Sequence, residues 1–218
     1  EWSADGKRLI GDTSQGGVET SRILLMNADG LNLKDLGPGC MPSLSADASE
    51  VVFSQPSMGV MKMKSDGTKR ELLERSAWGV QWSPDGRTIA FAGGNNITLL
   101  DVATGKRRKL LNEEYAAQVS MVYWNFSWSG DSRSIAYKAG LKSGVFAVQV
   151  QDIATSGVPK TVFSDPQYFP EDLSLSPDGK TVAIPAFTPE RTWPTFMFID
   201  RDKSEPQFSF LEQFRNWI

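Results

Sequence analysis

The chain has 218 residues, 40% of them apolar and 22% charged, with a formal net charge of −3 and no histidine. This balance belongs to a folded soluble domain, excludes disorder and gives no electrostatic footing for nucleic acid, whose binders cluster Lys and Arg against phosphates. The absence of histidine removes the usual general base, the Ser-His and Cys-His nucleophile pairs and the commonest transition-metal ligand.

In chain order the first element is Glu1-Trp2-Ser3, followed by the turn Ser3-Ala4-Asp5-Gly6 and a strand predicted over Arg8 to Ile10. Further predicted strands of the same rank run from Glu50 to Phe53, Ser134 to Tyr137 and Thr181 to Ile184. These follow variants of the same turn at residues 45–48, 129–132 and 176–179, and a further copy at 83–86 leads into Thr88 to Phe91. The turn aspartates Asp5, Asp47, Asp85, Asp131 and Asp178 stand 42, 38, 46 and 47 residues apart, a period typical of propeller blades or solenoid units.

The third repeat shows the plan most clearly. Gly79 to Ser83 is a short apolar run, and in Pro84-Asp85-Gly86 the Pro pre-sets φ, the Asp bonds its own backbone and the Gly accepts positive φ. Thr88 to Phe91, the loop Gly93 to Asn96, Ile97 to Asp101, the turn Ala103-Thr104-Gly105 and Lys106 to Leu111 complete a four-stranded antiparallel meander. Third strands elsewhere close on Asn27 to Gly30, Lys64 to Gly67, Asp152 to Gly157 and Asp200 to Asp202. No segment carries a helical period over ten or more residues, so the chain reads as all-β.

Strands such as Ile23-Leu24-Leu25-Met26, Val51-Val52-Phe53 and Phe196-Met197-Phe198-Ile199 are apolar on both faces and require neighbours on each side. Four-stranded sheets stacked radially provide them, whereas a sandwich would alternate polar and apolar. The fold class expected is therefore a β-propeller of four-stranded antiparallel blades, one domain over residues 1–218. Joining Ile218 to Glu1-Trp2-Ser3 restores the pattern of Val80 to Ser83, which suits five blades with the chain ends meeting in one blade; a five-repeat slice of a longer propeller is the alternative. The chain opens within a repeat and without an initiator Met, as a processed product or excised domain would, and contains neither a signal peptide nor an apolar run near the ~18 residues of a membrane span.

The run Trp82-Ser83-Pro84-Asp85-Gly86-Arg87-Thr88-Ile89-Ala90-Phe91, echoed at Trp2 to Gly6, Trp128 to Asp131 and Leu175 to Ala183, resembles the WD-like repeat of the TolB family. Third strands ending at Asn27-Ala28-Asp29-Gly30 and Asp101 to Gly105 match that family's second signature. The resemblance implies a periplasmic or otherwise extracytoplasmic propeller that binds protein partners. The chain departs from TolB in having five repeats and no α/β domain within its 218 residues. Other propellers of this kind gate prolyl oligopeptidases or serve as extracytoplasmic sensor domains.

Short regular turns fall on one edge of such blades and irregular segments on the other. The irregular edge collects Gly11 to Ser21, Tyr137 to Gly144, Ala186 to Thr195, Gly37 to Met41, Arg75 to Gly79, Asn112 to Tyr123, Ser164 to Asp172 and Glu212 to Trp217. Loops on a rigid scaffold carry binding, and Tyr and Trp are favoured contact residues. The predicted partner-binding residues are Tyr115, Tyr168, Phe169 and Trp193 in the longer loops, Arg191 and Arg215 as polar anchors, and Trp78, Trp124 and Trp217, which also suit plugs between blades.

No catalytic residue, cofactor or metal is expected. The turn aspartates recur once per repeat as turn chemistry and do not converge as calcium ligands do, and the lone Cys40 has no partner for a disulfide. The basic run Lys106 to Lys109 reads as a solvated edge strand. The function expected is non-catalytic binding of a protein or peptide through the loop face. One alternative is a small-ligand sensor; the other is a five-bladed glycosidase, for which only Glu1, Glu171 and Asp172 could supply the paired carboxylates.

Overall fold

Each Ser-x-Asp-Gly turn closes on the same small set of hydrogen bonds. In the third copy Ser83 Oγ donates to Asp85 at 2.6 Å, the Arg87 amide donates to the same carboxylate at 3.0 Å, and the Thr88 amide donates back to Ser83 Oγ at 3.0 Å. The set recurs at Ser3/Asp5, Ser45/Asp47, Ser129/Asp131 and Ser176/Asp178. The fourth position is left-handed every time, with φ of 67° at Gly6, 70° at Gly86 and 71° at Gly179, and also 54° at Ala48 and 61° at Ser132 where the glycine has been replaced.

At four of the turns the bonds favour the ionised aspartate. The serine hydroxyls first, and then the backbone amides, hold the carboxyls of Asp5, Asp131 and Asp178 below the usual carboxylate range, and Asp47 is lowered to about 2. A carboxyl whose folded pKa is depressed adds stability above its unfolded value and loses it as pH falls through the folded one. The thermal midpoint is therefore expected to drop between about pH 4 and about pH 2. In Asp47→Asn the same pH series should give a shallower decline; an identical slope would remove this turn from the effect.

The structure is a computed structural model describing residues 1–13, 16–166, 169–187, 194–203 and 207–208. The chain forms two compact units, Glu1–Arg108 and Lys109–Ile218. In the first, one sheet holds β1 (Arg8–Asp12), β2 (Arg22–Asn27) and β3 (Lys34–Pro38), with Trp2 bridging Leu9 ahead of β1. The second sheet holds β4 (Cys40–Leu44), β5 (Glu50–Gln55), β6 (Gly59–Lys64) and β7 (Glu71–Glu74); the third holds β8 (Trp78–Trp82), β9 (Thr88–Gly93), β10 (Asn96–Asp101) and β11 (Arg107–Lys109).

In the second unit a short helix, α1 (Glu113–Ala116), precedes a sheet of β12 (Val119–Trp128), β13 (Ser134–Leu141), β14 (Phe146–Asp152) and β15 (Lys160–Phe163). The fifth sheet has a divided first strand, β16 (Phe169–Pro170) and β17 (Ser174–Leu175), both paired to β18 (Thr181–Phe187), then β19 (Pro194–Asp200) and β20 (Gln207–Phe208). All pairings are antiparallel meanders, as the repeat predicts.

Apolar residues on both sheet faces pack sheet on sheet within each unit. Ile10, Ile23 and Leu25 of the first sheet meet Val51, Phe53, Met61 and Met63 of the second, and Val52 and Val60 of the second meet Val80, Ile89 and Phe91 of the third. In the second unit Ala136, Val148 and Val150 meet Val182, Ile184, Met197 and Ile199. Each fully buried Phe or Ile contributes about 1.5–3 kcal/mol, against about 0–1 kcal/mol for an exposed ion pair, so this packing dominates.

Polar side chains of the innermost strands tie neighbouring sheets together. The Trp82 amide donates to Ser43 Oγ at 3.1 Å, the Leu175 amide to Ser127 Oγ at 3.0 Å, and the Leu44 amide to the Glu1 carboxylate at 3.0 Å. Glu1 thus occupies the repeat position of Ser43 and Ser127; burial pushes its carboxyl up while the Leu44 and Ser43 donors oppose that. At the outer edge Arg70 donates to the Leu36 and Pro38 carbonyls with its guanidinium over the Phe53 ring, and Arg107 donates to the Leu73 carbonyl and Glu74 while lying over Phe91. Exposed as β11 is, Arg107 is therefore a tie to the preceding sheet rather than a merely solvated edge residue.

Candidate partner-binding surface

The innermost strands are not regular, and their irregularity differs between sheets. In β4 three steps from Cys40 to Ser43 oppose two on β5, and in β8 two steps from Trp78 to Val80 oppose one on β9, so each carries one extra residue. In β12 four steps from Val122 to Phe126 oppose two on β13, from Ala139 to Tyr137. Two extra residues bulge there, leaving Tyr123, Trp124 and Asn125 opposite the single residue Lys138. A bulge re-aims side chains, and here it turns the Trp124 indole outward to 43% exposure.

Lys138 fills the space beneath the bulge. It is 4% exposed, donates from Nζ to the Pro170 carbonyl at 2.7 Å, and lies 4.2 Å from the Tyr123 ring centre and 4.6 Å from that of Phe169. Burial lowers its pKa, and the negative charges of Glu171 and Asp172 oppose the shift. The rings continue as a connected set: Tyr123 to Trp124 at 5.7 Å, Tyr123 to Phe146 at 6.0 Å and Phe146 to Phe169 at 4.9 Å, the last two edge to face. Asn125 donates to the Glu171 carbonyl at 2.6 Å, which fixes the bulge to the divided first strand of the fifth sheet. A bound cation, two rings and this bond hold the patch rigid without covering Trp124.

Of the residues predicted to bind, Trp124 and Phe169 come together in this cluster, with Phe169 half-buried. Tyr115 does not project from a loop: it lies in α1, its amide donates to the Asn112 cap at 2.8 Å, and its hydroxyl accepts from the buried Gln149 side chain. Trp78 opens β8 in the first unit, half-buried. Tyr168, Arg191, Trp193, Arg215 and Trp217 lie outside the described residues. Prediction from sequence missed Lys138, and the signal was present. Register places it where the other repeats have Asp12, Ser54, Ala92 and Pro185, so this repeat alone puts a cation at that position.

Comparison with solved structures finds TolB from Acinetobacter baumannii, at a TM-score of 0.73 and 19% identity over 94% of this chain and 52% of that one. A putative TolB from Agrobacterium tumefaciens matches at 0.72 and 17%, over 96% of this chain and 79% of that one. The fold is a TolB-like β-propeller. At these identities the likeness concerns the fold alone, and hydrazine synthase from Kuenenia stuttgartiensis shares it at 0.71 and 16%, over 95% of this chain and 63% of that one. The chain thus spans about half the length of the Acinetobacter propeller protein. No family model and no curated protein matches the sequence. In propeller terms the sheets are blades, and the Trp124 cluster sits where the fourth and fifth blades meet.

Proposed function

We propose that this chain is a non-catalytic propeller module that engages a protein or peptide partner through the irregular edge of its fourth and fifth blades. The observation that carries the proposal is the exposed Trp124 on an oversized bulge, held in place by a caged lysine. Interface hot spots are enriched in tryptophan, and a contact residue fixed before binding loses little entropy on association. Among polar groups of the innermost strands, the Glu1, Ser43 and Ser127 side chains already serve blade-to-blade ties, which favours a binding role over channel chemistry. The family resemblance supports extracytoplasmic placement, which fractionation of cells carrying the tagged protein checks.

The test is selection of peptides from a random displayed library against the intact domain, followed by affinity measurement with Trp124→Ala. Selected peptides are expected to lose about tenfold or more in affinity, the effect of one hot-spot side chain, with the thermal midpoint unchanged because the indole is half in solvent. If every selected peptide binds the variant as tightly as the parent, this surface is not the binding site.

A further inference from the structure

We infer that the partner recognised at the Trp124 surface is a basic segment that lays an arginine or lysine over the indole and against the carboxylates of Glu171 and Asp172. The inference rests on the binding-module proposal above and specifies its partner.

Two carboxylates stand in the segment that the bulge binds. Glu171 and Asp172 follow Phe169 and Pro170 directly, and both are exposed. The Asn125 bond to the Glu171 carbonyl ties the backbone of this acidic segment to the bulge that carries Trp124. Among the described residues neither forms a salt bridge. Asp172 Oδ1 accepts from the Leu173 amide, and among the described residues no donor meets its second oxygen. Lys138 acts on both charges from beneath the rings, but it is buried with its ammonium donated to the Pro170 carbonyl and does not cover the outer side of the acids. Lys142, in the turn that follows β13, is exposed.

The rings have the corresponding preference. Tyr123 and Phe169 already hold an ammonium against their faces, and an exposed indole is the strongest cation-π acceptor among the side chains. A guanidinium stacks on an aromatic plane while its edge donates two parallel hydrogen bonds to a carboxylate, which suits an indole with acids beside it. An acidic segment would meet both ring quadrupoles and carboxylates of its own sign, and like-charge contacts of that kind work against a wrong partner.

The experiment uses two labelled pentapeptides, Gly-Arg-Leu-Arg-Gly and Gly-Glu-Leu-Glu-Gly, titrated with the intact domain and followed by fluorescence anisotropy at low and at physiological salt. The basic peptide is expected to bind about tenfold or more tightly than the acidic one, and its affinity should fall as salt rises. The Glu171→Gln, Asp172→Asn double variant and Trp124→Ala should each reduce that binding about tenfold. Asp29→Asn removes an exposed charge from a regular turn of the first blade and should leave binding unchanged. Equal binding of the two peptides, or equal loss in Asp29→Asn, overturns the inference. If library selection yields Trp124-dependent peptides that are not basic, the inference fails while the binding module stands; if it yields no Trp124-dependent peptide, both fail.

Discussion

Lys138→Glu is expected to lower the stability of the second unit by about 3–5 kcal/mol, the cost of leaving an uncompensated charge in a buried site. The wild-type ammonium faces one carbonyl at 2.7 Å and two ring faces, all of which present negative potential. A carboxylate there would repel each of them and add to the charges of Glu171 and Asp172. Lys138→Met supplies the control. It keeps the apolar stem and fills similar volume, losing the hydrogen bond and ring contacts but also the desolvation cost, so a change of about 1 kcal/mol is expected. At about 2–4 °C per kcal/mol for a chain of this size, Lys138→Glu should lower the thermal midpoint by roughly 10 °C, several times the effect of Lys138→Met. Equal midpoints for the two variants would mean that the lysine is solvated and the cage does not exist in solution.

Gly59→Ala should have the largest effect in the first unit. Gly59 opens β6 at a φ of 111°, which side-chain-bearing residues rarely adopt, and a bulge between Val60 and Met61 brings the end of β7 close against it. A Cβ at this position would lie on the Glu74 carbonyl oxygen and 2.7 Å from that of Arg75. Both obstacles are backbone, so relief requires opening the β6–β7 ladder, and a loss of about 3 kcal/mol or more follows. Gly94→Ala separates strain from collision. Its φ is 61° and nothing stands within 4 Å of an added Cβ, so that variant should cost only about 1 kcal/mol. The comparison is a pair of denaturant midpoints with unchanged m-values; if Gly59→Ala is no worse than Gly94→Ala, the close approach is absent in solution.

The repeat was legible in sequence because its determinants are local. Ser83, Asp85 and Gly86 form their turn within six residues, and the same bonds appear in the worn copies at Ala48 and Ser132. Apolar pairs such as Val51-Val52 also announced sheets buried on both faces. The surface was legible only in part, because exposure there depends on register. Nothing in Tyr123-Trp124-Asn125 reveals that these three residues oppose one partner, so Trp124 read equally well as a plug and proved to be exposed. Tyr115 read as a loop aromatic, yet the Asn112 cap folds its segment into a helical turn and Gln149, 34 residues away, takes its hydroxyl. The role of Ser43 and Ser127 as blade-to-blade acceptors has no local signature, because the donor amides lie on the neighbouring strand, 39 and 48 residues away.

The proposed division of labour, with a regular edge that builds the blades and an irregular edge that binds, is tested directly by hydrogen exchange on the domain with and without a saturating selected peptide. Protection is expected at residues 119–125 and 169–173, with the turns at 129–132 and 176–179 unchanged. Protection confined to those turns, with none at the Trp124 bulge, would contradict it.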